Sequence, residues 1–391
     1  MATINGTSGN DTLSGTDGRD SIFALGGNDL IFGSAGSDTL DGGEGSDTVN
    51  YSRLNGIDLH LGDNWVSKSA GGTDTLVSIG NAVGTPGSDR MEGNANDNHL
   101  QAGAGNDLLA GGAGNDILDG GEGSDKVRYY NSPAGVTVDL AAGTASDGFG
   151  TTDRIISIGL ASGSPFDDVI SGTSDVNTLE GGAGNDRLFG RNGDDVLMGG
   201  AGDDLLDGGN GSDTVSYISE PGGITVDLAG GWAIDSFGNH DTIVSCGLAT
   251  AAPYGADTLL GNDNANTLVG FGHGDTLTGR GGADTFGTGS WDWWGNIVTD
   301  FQHGQDKLEI DLGGIPINRT AGALDPAYFT TGTPNTTHWT ITYDRASGVV
   351  GFDIDGSGSD GVISVMTLTN HPEPERVGYP DRLSRDAGGS A

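Results

Sequence analysis

Residues 111–119 read Gly111-Gly-Ala-Gly-Asn-Asp116-Ile-Leu118-Asp119, and this nine-residue spacing returns through most of the chain. Upstream in the same run stand Asp89, Asn98 and Asp107, and downstream Asp125, with Met91, Leu100, Leu109, Leu118 and Val127 two residues after them. The N-terminal run places Asp11, Asp20, Asp29, Asp38 and Asp47 nine apart, followed at the same offset by Leu13, Ile22, Ile31, Leu40 and Val49. A third run carries Asp168, Asn177, Asp186, Asp195, Asp204 and Asp213, and a fourth Asp257, Asn266, Asp275 and Asp284. Twenty repeats in one register are not a chance pattern, and a period of nine points to a solenoid.

Each part of the unit has a physical reason. Glycine tolerates the positive φ of a tight turn and lets backbone segments approach closely. The Asp-x-apolar-x end is long enough only for a very short strand, whose middle residue faces inward. The motif Gly-Gly-x-Gly-x-Asp-x-apolar-x resembles the RTX (haemolysin-type calcium-binding repeat) family. That resemblance implies an all-β, right-handed parallel β-roll, with two nonapeptides per coil. It further implies several Ca²⁺ ions, a dozen at most, held by the seventeen repeat Asp residues and by turn carbonyls. Such oxygen ligands suit a hard cation. A metal-free repeat buries too little to offset its ordering entropy, so calcium is expected to supply stability and to remove Asp–Asp repulsion.

Between the runs lie three similar spacers. Gly56-Ile-Asp-Leu-His-Leu61, Gly135-Val-Thr-Val-Asp-Leu140 and Gly223-Ile-Thr-Val-Asp-Leu228 read as strands, as do the segments ending at Ile79, Ile158 and Cys246. The arrangement looks like tandem duplication of a module. The second unit of each later run carries Asn98, Asn177 or Asn266 in place of Asp. This Asn is either a weaker calcium ligand or a cap for turn backbone groups. His273 replaces a turn Gly in the last run, which weakens that site.

Composition sets the boundaries. The chain has 391 residues, 75 of them Gly, and a formal net charge of −39. Of its acidic residues 47 are Asp and 8 are Glu, which matches a turn-rich and not a helical architecture. Such a charge excludes nucleic acid as a partner. The lone Cys246 rules out an internal disulfide framework and reads as a buried structural thiol. The start, Met-Ala-Thr-Ile-Asn-Gly, shows neither a basic nor an apolar region of a secretory signal, and no transmembrane segment is expected.

After Asp284 the period stops. Strand-like stretches at 297–301, 304–312, 340–343, 351–356 and 362–368 suggest an antiparallel β cap, which a solenoid end requires. Trp291, Trp293 and Trp294 either pack in this cap or form a sugar-binding platform. The patterns divide the chain into nonapeptide blocks at 1–50, 87–129, 166–216 and 255–288, with β spacers at 51–86, 130–165 and 217–254. A cap and type I secretion region at 289–369 and a disordered tail at 370–391 complete it. Enzyme motifs are missing: there is no His-Glu-x-x-His, no Gly-x-Ser-x-Gly and no Asp-Pro-His. The expected protein is a non-enzymatic, secreted calcium-binding roll of a Gram-negative bacterium, exported by a type I secretion apparatus, with a structural or surface/matrix role. An extracellular polysaccharide-binding module, or a remnant of an RTX enzyme or toxin, is the alternative.

Overall fold

The computed structural model describes residues 1–289, 295–310, 340–353 and 363–370, together with the short strands Gly322–Ala323, Phe329–Thr331 and Leu383–Arg385. Among these every regular element is a β-strand. The chain divides into two compact units, Met1–Gly193 and Asp194–Ala391. The Trp291–Trp294 cluster and nearly all of the C-terminal tail lie outside the described residues.

In the first unit each nonapeptide supplies a strand of mostly three residues. Leu108–Ala110 is representative: its middle Leu109 is buried and its neighbours are half-buried. Consecutive strands enter opposite sheets, and within a run strands 18 residues apart pair in parallel. The pairs Ile4↔Ile22, Leu13↔Ile31 and Leu109↔Val127 show this register. Two nonapeptides therefore form one coil of a parallel β-roll. The apolar residue at every ninth position stacks into two interior ladders, in which Ile22, Ile31, Leu40, Met91, Leu100, Leu109 and Leu118 are all buried. The second unit repeats the scheme, with Leu259↔Leu277 and Leu268↔Phe286.

The spacers interrupt one sheet at a time. Ile57–His60, Trp65–Lys68 and Thr73–Val77 form an antiparallel trio whose outer members pair in parallel with roll strands. Thr137–Asp139, Thr144–Ser146 and Thr152–Ile156 do the same, as do Thr225–Asp227, Trp232–Ile234 and His240–Val244 in the second unit. Six roll strands separate the two trios of the first unit. Because strands alternate between sheets, these trios fall in opposite sheets.

The C-terminal end differs from expectation in one respect. Asn296–Val298 and Lys307–Ile310 are not part of an antiparallel cap but continue the parallel roll against Thr276–Thr278 and Thr285–Thr288. The antiparallel part is Thr340–Asp344, Val349–Asp353 and Ile363–Leu368, the last pairing in parallel with Asn296–Val298. The reason is that the roll persists after the nine-residue spacing is lost. Asn296 and Asp306 take over the role of the repeat Asp at separations of 21 and 22 residues, accepting the Asp275 and Asp284 N–H.

The turns stack on one another as closely as the strands do. Gly105 has φ +131°, and a Cβ there would lie 2.7–2.9 Å from the Gly87 carbonyl group and the Ser88 nitrogen. Gly105→Ala should therefore cost about 1–3 kcal/mol. Thermal unfolding in calcium tests this, and an unchanged midpoint would show that the turns do not bear on one another.

Candidate calcium site

One hydrogen bond recurs along both units. The backbone N–H of a repeat Asp or Asn donates to Oδ1 of the Asp 18 residues later, one coil on. Distances are 2.7 Å for Asp11 to Asp29, 2.8 Å for Asp29 to Asp47, 2.7 Å for Asn98 to Asp116 and 2.8 Å for Asp107 to Asp125. Asp20 to Asp38, Asp89 to Asp107, Asp168 to Asp186, Asp195 to Asp213, Asp257 to Asp275 and Asn266 to Asp284 follow the same rule. This bond pulls the carboxylates inward. Asp11 is half-buried, and Asp20, Asp29, Asp38, Asp47, Asp89, Asp107, Asp116, Asp125, Asp168, Asp186, Asp195, Asp204, Asp213, Asp257, Asp275 and Asp284 are buried.

The second oxygen divides these residues into two classes. Where the residue four before the Asp is Ser or Thr, the turn itself satisfies the carboxylate. Thr7 donates its N–H (2.5 Å) and hydroxyl (2.9 Å) to Asp11 Oδ2, and Thr16 does likewise for Asp20. The Ser34 hydroxyl donates to Asp38 at 3.0 Å, and Thr85 and Ser164 cap Asp89 and Asp168. At seven repeat Asp residues where that position carries no hydroxyl, Oδ2 is buried without a hydrogen-bond partner. Asp29, Asp47, Asp107, Asp116, Asp125, Asp213 and Asp284 are of this kind.

A buried carboxylate oxygen with no donor is costly, and each of these lies in a glycine-lined turn. A Cβ on Gly120 would sit 2.6 Å from Asp125 Oδ2, and one on Gly208 would sit 2.6 Å from Asp213 Oδ2. Among the described residues no three His, Cys, Asp or Glu side chains converge on one point. A cation would therefore be held by carboxylate oxygens together with turn carbonyls. An all-oxygen set of this kind fits calcium.

Electrostatics agree. Burial, partly offset by the coil-to-coil hydrogen bonds, raises the carboxyls of Asp107, Asp116, Asp186 and Asp257 to about 7, and those of Asp275 and Asp284 to about 6. Neighbouring Asp charges add to the rise at Asp107, Asp116, Asp186, Asp257 and Asp284. Cys246 is buried, and desolvation pushes its thiol up to about 12. It is a structural thiol, like its counterparts Ile79 and Ile158, which are also buried.

Three Asp of the spacers extend the array and were not among the residues expected to bind metal. Asp74, Asp153 and Asp241 accept the N–H of Asp38, Asp116 and Asp204 at 2.9, 3.0 and 3.1 Å. The buried hydroxyls of Tyr51, Tyr129 and Tyr217 donate to their other oxygens. A signal was present, since Leu76, Ile155 and Ile243 stand two residues after them. The separation of 36 or 37 residues hid it.

Asn98, Asn177 and Asn266 are resolved as caps. Each Oδ1 accepts a turn N–H, from Asn94, Thr173 or Asn262. Each Nδ2 donates to a spacer carbonyl, that of Gly80 at 2.7 Å, Gly159 at 3.0 Å or Gly247 at 3.1 Å. An Asp there would face the carbonyl with no proton to offer.

Two outcomes follow. Asn98→Asp should destabilise the calcium-loaded protein by about 1–3 kcal/mol, read as a lower unfolding midpoint. A higher midpoint with tighter calcium binding would restore the ligand role. The pH dependence follows from the raised carboxyls. Without metal, the folded state holds more protons than the unfolded chain between about pH 4 and 7. The metal-free fold thus gains stability as pH falls through that window and loses it as pH rises. Relative to the unfolded chain, protons and calcium both favour the folded state at these oxygens, so the calcium concentration at the folding midpoint should fall between pH 7.5 and pH 5.5. Circular dichroism titrations at the two pH values check this, and equal midpoints would contradict it.

The RTX calcium-binding nonapeptide repeat matches residues 3–31, 14–49, 83–118, 92–127, 162–197, 189–216 and 254–286. These segments coincide with the four runs and leave most of each spacer unmatched. Among solved structures, the extracellular lipase LipA from Serratia marcescens is similar over 62% of this chain, at 15% sequence identity and a TM-score of 0.19. The chain spans 37% of that chain. No match was found among curated proteins. With the repeats matched in all four runs and the carboxylates stacked coil on coil, the chain is an RTX calcium-binding repeat protein.

Proposed function

We propose that this protein is a secreted roll that folds when it meets calcium outside the cell, and that it serves a structural or surface/matrix role and not a catalytic one. The row of buried Oδ2 atoms without donors carries the reading, because it makes the folded state conditional on a cation. A net charge of −39 would hold the metal-free chain expanded, a state suited to passage through a type I secretion channel. Extracellular calcium sites commonly work at about 10⁻⁴–10⁻³ M, so folding would begin on the far side of the envelope and oppose return. The source would be a Gram-negative bacterium, and the contacts made outside would be with cell surface or extracellular polysaccharide.

The test is far-UV circular dichroism of the purified chain during calcium titration, with Asp116→Ala alongside. The expected result is a coil-to-β transition between high micromolar and millimolar calcium, shifted to higher calcium in the variant. A chain already compact and β-rich in excess chelator at neutral pH would refute folding on calcium.

A further inference from the structure

The three spacers meet the roll through the same construction but with different charges. Lys68, Asp147 and Asp235 occupy equivalent places. Lys68 pairs across its hairpin with Ile57, and the hairpins Thr137↔Ser146 and Thr225↔Ile234 bring Asp147 and Asp235 to the same point. All three are buried. Six residues after each stands the buried Asp that receives the roll's N–H, namely Asp74, Asp153 or Asp241.

At the first junction the Lys68 ammonium is enclosed. Its side chain is 1% exposed and that of Asp74 is 0% exposed. Nζ lies 2.5 Å from Asp74 Oδ1 and donates to the Ser34 carbonyl at 2.9 Å. The remaining carboxylate, Asp38, is capped by the Ser34 hydroxyl. At the second junction both provisions are gone. Gly112 stands in place of Ser34 and Asp147 in place of Lys68. Asp116 Oδ2 is then buried with no partner, and the charges facing Asp116 are Asp153, Asp147 and Asp97. Those facing Asp241 at the third junction are Asp204 and Asp235.

We infer that the Lys68 ammonium occupies the place of a bound calcium ion at the first junction. The second and third junctions take a calcium ion there that the nonapeptide pattern does not encode. The ligands at the second junction are Asp116 Oδ2, the Asp153 carboxylate and the Gly112 carbonyl, which is the counterpart of the Ser34 carbonyl that Lys68 touches. Asp147 accepts the Phe149 and Thr151 N–H and contributes its charge. Exchanging Lys for Asp removes two positive units, and one Ca²⁺ returns them. The Lys-to-Asp exchange is thereby offset, while Asp97 at the second junction and the buried Glu220 at the third add further negative charge. The orphaned Asp116 oxygen and the cation seated at the sister position are independent observations, and both point to a cation.

This inference rests on calcium binding by the roll, and one experiment separates the two claims. Native mass spectrometry of the full chain at saturating calcium counts bound ions as integers. Asp147→Lys should bind one ion fewer than the wild type, and Asp147→Lys with Asp235→Lys two fewer. Lys68→Met, which leaves Asp74 and the Ser34 carbonyl without their cation, should bind one more. Unchanged counts in either Asp147→Lys or Lys68→Met overturn the inference while leaving the calcium-binding roll intact. A wild-type chain that binds no calcium removes the ground for both.

Discussion

The rest of the structure depends on a hydrogen bond from the backbone of one coil to a carboxylate of the next. Because the Asp N–H donates to Oδ1 18 residues ahead, as between Asp107 and Asp125 at 2.8 Å, each coil is docked on its successor by an anion. The same bond fixes the carboxylate's orientation and pushes the other oxygen into the turn. That turn must then be free of side chains where the oxygen lies. Gly120 and Gly208 stand five residues before Asp125 and Asp213 for this reason. Strand pairing, the buried Leu ladders and the glycine pattern are thus consequences of one arrangement repeated along the chain.

That arrangement concentrates negative charge where solvent cannot screen it. The chain answers in three ways. At the entry to several blocks, Ser or Thr donors absorb the second oxygen, as Thr85 does for Asp89. Beside the spacer hairpins, Arg191 and Arg280 grip Asp139 and Asp227 through two nitrogens each and hold those carboxyls below the usual range. Both arginines keep a positive φ, 79° and 69°, at a turn position that Gly fills in repeats such as those of Asp116 and Asp125. At Asp29, Asp47, Asp107, Asp116, Asp125, Asp213 and Asp284 the second oxygen is left for a cation, so stability is linked to calcium by mass action.

The spacers show how such a roll takes an insertion without losing its ladder. Each adds two strands to one sheet, and an Asp at the far end of the insertion receives the N–H that the next coil would have received. Tyr51, Tyr129 and Tyr217 close these junctions by donating to that Asp. The construction is common to all three, while the charge inside it is not. This lets one scaffold mix a junction held by an ammonium with junctions that call for metal.

The sequence by itself determined the solenoid and the inward Leu, Ile and Val, because a side chain that alternates across a short strand leaves its period in the sequence. The coil of two nonapeptides followed instead from the family resemblance and is seen in the 18-residue strand register. The repeat Asp residues were legible in the sequence. It could not separate Asp89 from Asp107, which obey the same motif, since the difference lies in whether the turn donates to the second oxygen. It could not see that Asp74, Asp153 and Asp306 join the same array, because the intervening chain varies from 22 to 37 residues while the distance in space is one coil. The role of Asn98 was open until the Gly80 carbonyl was seen to face it. These are contacts between coils, and tertiary structure decided them because the partner of each carboxylate is set by stacking and not by sequence neighbours.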